Sequence, residues 1–112
     1  MKKKVLLLAG TKKGLFLLTS ADRRHWSRTG PFQSGREINH AVFDARTGKT
    51  HATSNDAWFG CQVATSANLG KSWPMAKCNP AFDKRSGLKL ERIWHLEPGR
   101  AKERNVVYAG VA

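Results

Sequence analysis

The stretch Ser66-Ala67-Asn68-Leu69-Gly70-Lys71-Ser72-Trp73 decides how this chain is read. Asn at its third position can tie down turn amides and tolerates left-handed backbone, and Gly two residues later supplies a positive φ. The flanking Ser residues add local hydrogen bonds, and Trp offers a bulky apolar plate to lay under the turn. Apolar runs lie on either side, Gly60 to Ser66 before it and Ser72 to Lys77 after it. The stretch therefore reads as a β-hairpin with a stiffened turn.

Working outward, the same arrangement of short runs and turn residues fills the chain. Val5 to Thr11 and Gly14 to Ser20 flank Lys12-Lys13, and Trp26 to Thr29 supplies a third run. Ile38 to Asp44 and Lys49 to Ser54 flank Ala45-Arg46-Thr47-Gly48, while Arg92 to Glu97 and Asn105 to Val111 flank a turn beginning Pro98-Gly99-Arg100. Pro80 to Leu90 reads as a surface loop rather than a helix, because Lys, Arg, Ser and Gly break its apolar periodicity. Many short strands with turn chemistry between them predict an all-β chain.

Internal repetition sharpens that class. Thr19-Ser20-Ala21-Asp22 returns as Thr65-Ser66-Ala67-Asn68, 46 positions on, and Ile38-Asn39-His40 returns as Ile93-Trp94-His95, 55 positions on. Ala9-Gly10 returns as Ala109-Gly110 after 100 positions, two such periods. A period of ~40–50 residues is the length of one four-stranded propeller blade. The phasing expects a partial β-propeller of about two blades, built from four-stranded antiparallel sheets. Residues 1–32 would supply the last three strands of one blade, residues 36–80 a complete blade, and residues 91–112 the first two strands of a third.

Ser66 to Trp73 resembles the Asp-box, the S-x-D-x-G-x-T-W hairpin of sialidase-like propellers and the wider BNR-repeat superfamily. Asn68 stands for the Asp and Ser72 for the Thr. Thr19-Ser20-Ala21-Asp22-Arg23-Arg24-His25-Trp26 resembles a degraded copy that has lost the Gly and kept Asp22 and Trp26. The resemblance implies that Ser66, Asn68, Gly70, Ser72, Trp73, Asp22 and Trp26 are scaffold residues on an outer rim, away from any substrate. It also implies a channel mouth lined by innermost strands, here Ile38 to Asp44 and Arg92 to Glu97. Asn39, His40, Trp94 and His95, with Arg36 and Arg92 nearby, are the ligand-binding candidates there. His40 and His95 occupy equivalent places, and packing within the sheets is favoured over a ligand pair, since no third metal ligand stands at suitable spacing. No metal or other cofactor is expected.

Asp56 and Trp58 are the remaining candidates. An acid beside an exposed aromatic suits carbohydrate, whereas Trp58-Phe59 could equally cap the apolar layer between blades; the cap is the favoured reading. A sialidase would need an arginine triad, a Tyr nucleophile assisted by Glu and an acidic proton donor. The early Arg-Ile-Pro motif of that family is absent, and Arg92-Ile93-Trp94 does not replace it. Gly10-Thr11-Lys12-Lys13-Gly14 lacks phosphate-loop spacing, and no Ser stands in a G-x-S-x-G elbow.

Two functions from different classes therefore stay open: an interaction or assembly scaffold without a catalytic set, or the amino-terminal part of a sialidase-like exo-glycoside hydrolase. Net charge is +12, from 20 Lys and Arg against 8 Asp and Glu. That permits a third reading, an anion- or nucleic-acid-binding surface, but the basic residues are scattered, mostly in turns between apolar runs, so nucleic acid is not the expected partner. Expected partners are the remaining propeller blades, further copies through exposed strand edges, or a protein or carbohydrate ligand. The apolar run after Met1 to Lys4 ends at Thr11, short for an export signal, and no run nears the ~20 residues of a membrane span; a cytoplasmic chain is expected. If Ser66 faces Trp73 across its hairpin, the same register sets Cys61 opposite Cys78, unless Pro74 introduces a bulge.

Overall fold

A computed structural model describes residues 3–56, 58, 60–74 and 79–112, and among the described residues it has eight strands and one short 3-10 turn. Strands β1 (Val5–Thr11), β2 (Gly14–Ser20) and β3 (Ser27–Phe32) form a first antiparallel sheet in chain order. Strands β4 (Ala41–Asp44), β5 (Lys49–Asp56) and β6 (Gly60–Ser66) form a second in the same order. A third sheet holds β7 (Ile93–Pro98) and β8 (Val107–Val111). The all-β class follows from the sequence as expected.

Among the described residues the sheets have three, three and two strands, and the second sheet, expected to have four, is the one that differs from the expected count. The expected strand Ser72 to Lys77 is where the second sheet falls short: residues 72–74 are not in a strand, and 75–77 lie outside the described residues. The strand expected from Ile38 begins only at Ala41, because its first amides are used elsewhere. Ile38 N–H donates to Thr11 O in the first sheet (2.9 Å), and the Asn39 and His40 amides donate to Thr53 Oγ1 (3.0 and 3.1 Å). The loop expected over Pro80 to Leu90 is irregular apart from the 3-10 turn Lys84–Ser86, whose N-terminus Asp83 caps.

The sheets stack with the second in the middle. Leu15 and Leu17 of β2 bury against Ile38 and Ala52, with Leu6, Leu8, Phe32, Ala41 and Trp73 packed around them. On the opposite face of the second sheet, Cys61 buries with Ile93 and Leu96, joined by Val42, Val63, Leu90 and Val107. Alternation along each strand assigns these faces: β5 sends Ala52 to the first sheet and Thr53 and Asn55 towards the third.

The central strand β5 is the most buried and is built from small polar residues. Thr50, His51, Ala52, Thr53, Ser54 and Asn55 are all buried. Small side chains let two sheets approach this strand closely, and hydrogen bonding offsets the burial of their polar atoms. Thr53 Oγ1 takes the two amides named above, Asn55 Oδ1 accepts Ile93 N–H (3.4 Å), and His51 Nδ1 lies 2.9 Å from Thr65 Oγ1. Thr50 Oγ1 and Asn55 Nδ2 are buried without a partner.

Candidate functional site

The two Ser-Asx turns take closely related forms. In the second, Ser66 Oγ donates to Asn68 Oδ1 (2.9 Å) and accepts from Gly70 N–H (2.8 Å). Asn68 Oδ1 also accepts Ser72 N–H (2.9 Å), and Asn68 Nδ2 donates to Ser72 Oγ (2.8 Å). In the first, Ser20 Oγ donates to Asp22 Oδ1 (3.2 Å) and accepts from Arg23 N–H (2.7 Å). Asp22 Oδ1 then accepts from Arg24 and His25 N–H, both at 2.8 Å. His25 Nδ1 reaches Asp22 Oδ2 at 2.7 Å, and this contact, with the two amides, holds the Asp22 carboxyl well below the usual carboxylate range.

The lost glycine of the first turn has a plain structural meaning. The second turn uses two positive-φ residues, Leu69 (56°) and Gly70 (87°), whereas the first uses only Arg23 (63°). The first turn is one residue shorter between Ser and Trp, so a single left-handed residue completes it and the glycine position is gone.

The two tryptophans do not pack alike. Trp73 is half-buried and lies against Phe32 of the first sheet, ring centroids 6.3 Å apart. Trp26, expected to pack under its own turn, is 42% exposed. Trp73 rests on the sheet that precedes it, whereas among the described residues no sheet is packed against Trp26.

Three channel candidates, Asn39, His40 and His95, gather at the seam between the second and third sheets. The His40 and His95 rings stack with centroids 4.0 Å apart. Leu96 N–H donates to His40 Nδ1 at 3.1 Å, so that nitrogen carries no proton. Burial pushes the His40 pKa down, the neighbouring His95 adds to this, and Glu97 opposes it. His95 Nε2 in turn lies 3.2 Å from Glu97 Oε2. Asn39 Nδ2 donates to Ile93 O (3.5 Å). His40 thus ties one sheet to the next, its contacts running between sheets rather than within its own.

The other candidates are also engaged. Arg92 Nη1 donates to Glu37 Oε1 (3.0 Å), and its guanidinium carbon lies 5.1 Å from the Trp94 ring centroid. Glu37 and Arg92 stand 55 positions apart, the spacing of the Ile38 and Ile93 repeats, so the ion pair joins equivalent places on consecutive sheets. Arg36 sits on the other face of the second sheet, where its Nη1 donates to Gln62 Oε1 and to Ser54 Oγ. It lines a cavity of about 220 Å³ with Gln33, Gln62, Trp73, Pro74 and Asn79. Arg36 therefore does not share the seam with His40.

Trp58 overturns one expectation. It is 91% exposed and caps no apolar layer. Asp56 Oδ1 accepts Trp58 N–H at 2.6 Å, which holds the Trp58 backbone in a turn with its ring outward in solvent. Phe59 lies outside the described residues.

Sequence reasoning missed a hairpin lock at the far end of the second sheet. Asp44, 4% exposed, accepts from Arg46 N–H (2.9 Å), Nε (3.1 Å) and Nη2 (3.1 Å). Arg46 Nη1 also donates to Arg100 O, and Tyr108 Oη donates to Glu103 Oε2 at 2.6 Å. The Arg46 bonds hold the Asp44 carboxyl low; the Tyr108 bond does the same for Glu103 and raises the phenol. The D-x-R spacing of Asp44 and Arg46 was the available signal.

Cys61 is buried, its Sγ 3.7 Å from Leu90 O, and burial pushes its thiol pKa up. Its expected partner Cys78 lies outside the described residues. Among the described residues, no group of three or more His, Cys, Asp or Glu is placed to hold a metal ion, and no helix is long and apolar enough to cross a membrane. Lys12, Lys13, Arg23, Arg24, Lys84 and Arg85 are exposed on separate turns.

Comparison with known proteins adds no identity. No model of a known protein family matches the chain, and no curated protein matches it.

Proposed function

We propose that this chain is an Asp-box (BNR-repeat) β-propeller module that acts as an interaction or assembly scaffold. The observation that carries the reading is the pair of Ser-Asx turns on consecutive sheets, the second resting its Trp73 on the sheet before it. Stacking of like sheets through small central-strand residues is the packing such a repeat requires, because each unit buries its apolar face only against a neighbour. The strongest features of the chain are scaffold features, and the histidine seam is absorbed in joining sheets.

The exposed Trp58 beside Asp56 favours a second reading, a sialidase-like glycoside hydrolase module, because a free indole face and a nearby carboxylate suit a sugar ring. Sedimentation velocity over a range of concentrations tests the first reading. The scaffold is expected to associate as concentration rises; a concentration-independent monomer that unfolds cooperatively overturns it. Release of fluorophore from an aryl sialoside, lost in Asp56→Asn, would instead support the hydrolase.

A further inference from the structure

We propose that a second copy of this chain docks head to tail, the outer face of the first sheet lying on the outer face of the third. This rests on the scaffold reading above and names its partner. The two sheet–sheet interfaces inside the molecule indicate what each face accepts. Leu18 stands two residues before Ser20 and pairs with Leu7; Ala64 stands two residues before Ser66 and pairs with Ala52. Ala52 lies under the first sheet, in the cluster with Leu15 and Leu17. The face carrying Leu7 and Leu18 is thus the equivalent, on the first sheet, of the face that a neighbouring sheet covers on the second.

That face is apolar and open. The pairs Leu7–Leu18 and Ala9–Phe16 share it, opposite the side of Leu6, Leu8, Leu15 and Leu17. Leu7 is 52% exposed, in the middle of a strand where a solvent-facing residue would ordinarily be polar. Arg28 pairs with Leu18 on the same face, its guanidinium carbon 5.7 Å from the Phe16 centroid.

The complementary face is on the third sheet. His95 stands where His40 stands one unit earlier, and His40 faces the third sheet, stacking on His95 and accepting from Leu96 N–H. Glu97 and Tyr108, paired across β7 and β8 and alternating with the buried Leu96, face away from the second sheet, and Tyr108 is 54% exposed. The Tyr108 ring on one face and aliphatic side chains on the other form an apolar contact, and Glu97 and Arg28 bring opposite charges to it. The Glu37–Arg92 pair already joins consecutive sheets in this way. Because the two faces differ, the contact is heterologous and generates a ring or a filament rather than a two-fold dimer.

Cross-linking tests the geometry. Leu7→Cys and Tyr108→Cys are made separately in a Cys61→Ala, Cys78→Ser background and treated with a short bismaleimide, alone and mixed. The expected result is a covalent dimer in the mixture, little in either variant alone, and a ladder from the double variant. A dimer from Leu7→Cys alone overturns the proposal in favour of a two-fold contact. Association without cross-linking in the mixture overturns the head-to-tail contact and leaves the scaffold reading standing; a cooperative monomer overturns both. In the otherwise native chain, Leu7→Arg is expected to weaken association at least tenfold, with Trp58→Ser unchanged. Unaltered association in Leu7→Arg overturns the proposal even if the cysteine background fails to fold.

Discussion

Gly70→Ala isolates the contact on which the repeat reading depends. Two costs add at this position. The backbone lies at φ 87°, a left-handed conformation that a Cβ disfavours by about 1–2 kcal/mol. A Cβ there would also stand 3.1 Å from Leu17 Cδ1 and 3.2 Å from Phe32 Cε2, side chains of the first sheet. Leu17 is 3% exposed and has little room to yield, so crowding adds about 1–2 kcal/mol. The expected loss is about 2–4 kcal/mol, and at this chain length each kcal/mol lowers Tm by roughly 4 °C or more. Gly48→Ala is the control, because Gly48 has φ 73° and its Cβ would meet nothing within 4 Å. It carries the conformational cost alone. Urea unfolding followed by tryptophan fluorescence measures both variants. Equal losses at the two positions would refute packing of the Ser66–Trp73 turn on the preceding sheet, and losses below about 0.5 kcal/mol at both would refute the left-handed turns themselves.

Trp73→Ala should cost about 2–4 kcal/mol, below the full value for a buried aromatic because Trp73 is half-buried; Trp73→Phe should cost much less, since its buried Nε1 has no partner to lose. An unchanged melting profile for Trp73→Ala would count against the Asp-box assignment. Trp58→Ser should lie within about 0.5 kcal/mol of the parent, and a larger destabilisation would mean that the ring is covered after all. Stability should fall as pH drops below about 6.5, where unfolded histidines protonate but His40 and His51, their folded pKa values lowered chiefly by burial, resist; the decline should level off once pH passes below the folded values. His40→Gln should flatten that decline in urea titrations at pH 7.5, 6.5 and 5.5, and a parallel profile would remove His40 from the linkage. A further loss should begin below about pH 4, where the lowered carboxyls of Asp22, Asp44 and Glu103 take up protons on unfolding.

By itself the sequence determined the local features. The hairpins Val5–Thr11 with Gly14–Ser20 and the strand Gly60–Ser66 have the ends that their turn residues require, because Gly, Asn and Ser act within a few residues of themselves. Both Ser-Asx turns were legible for the same reason. Only tertiary structure decided the rest. Trp26 and Trp73 look equivalent in sequence, yet one is exposed and one packed, because their burial depends on whether another sheet lies beneath them. Trp58 reads in sequence as a cap in preference to a free ring, and only the tertiary structure shows it in solvent. The strand that opens at Ile38 on apolar pattern opens at Ala41 in space, since Thr53, distant in sequence, takes the amides that a ladder would use. Arg36 and Arg92 stand beside matching repeats but are divided between the two faces of the central sheet. Short-range turn chemistry is encoded in adjacent residues. Which face meets which partner depends on contacts between segments about fifty residues apart, and no local pattern carries that information.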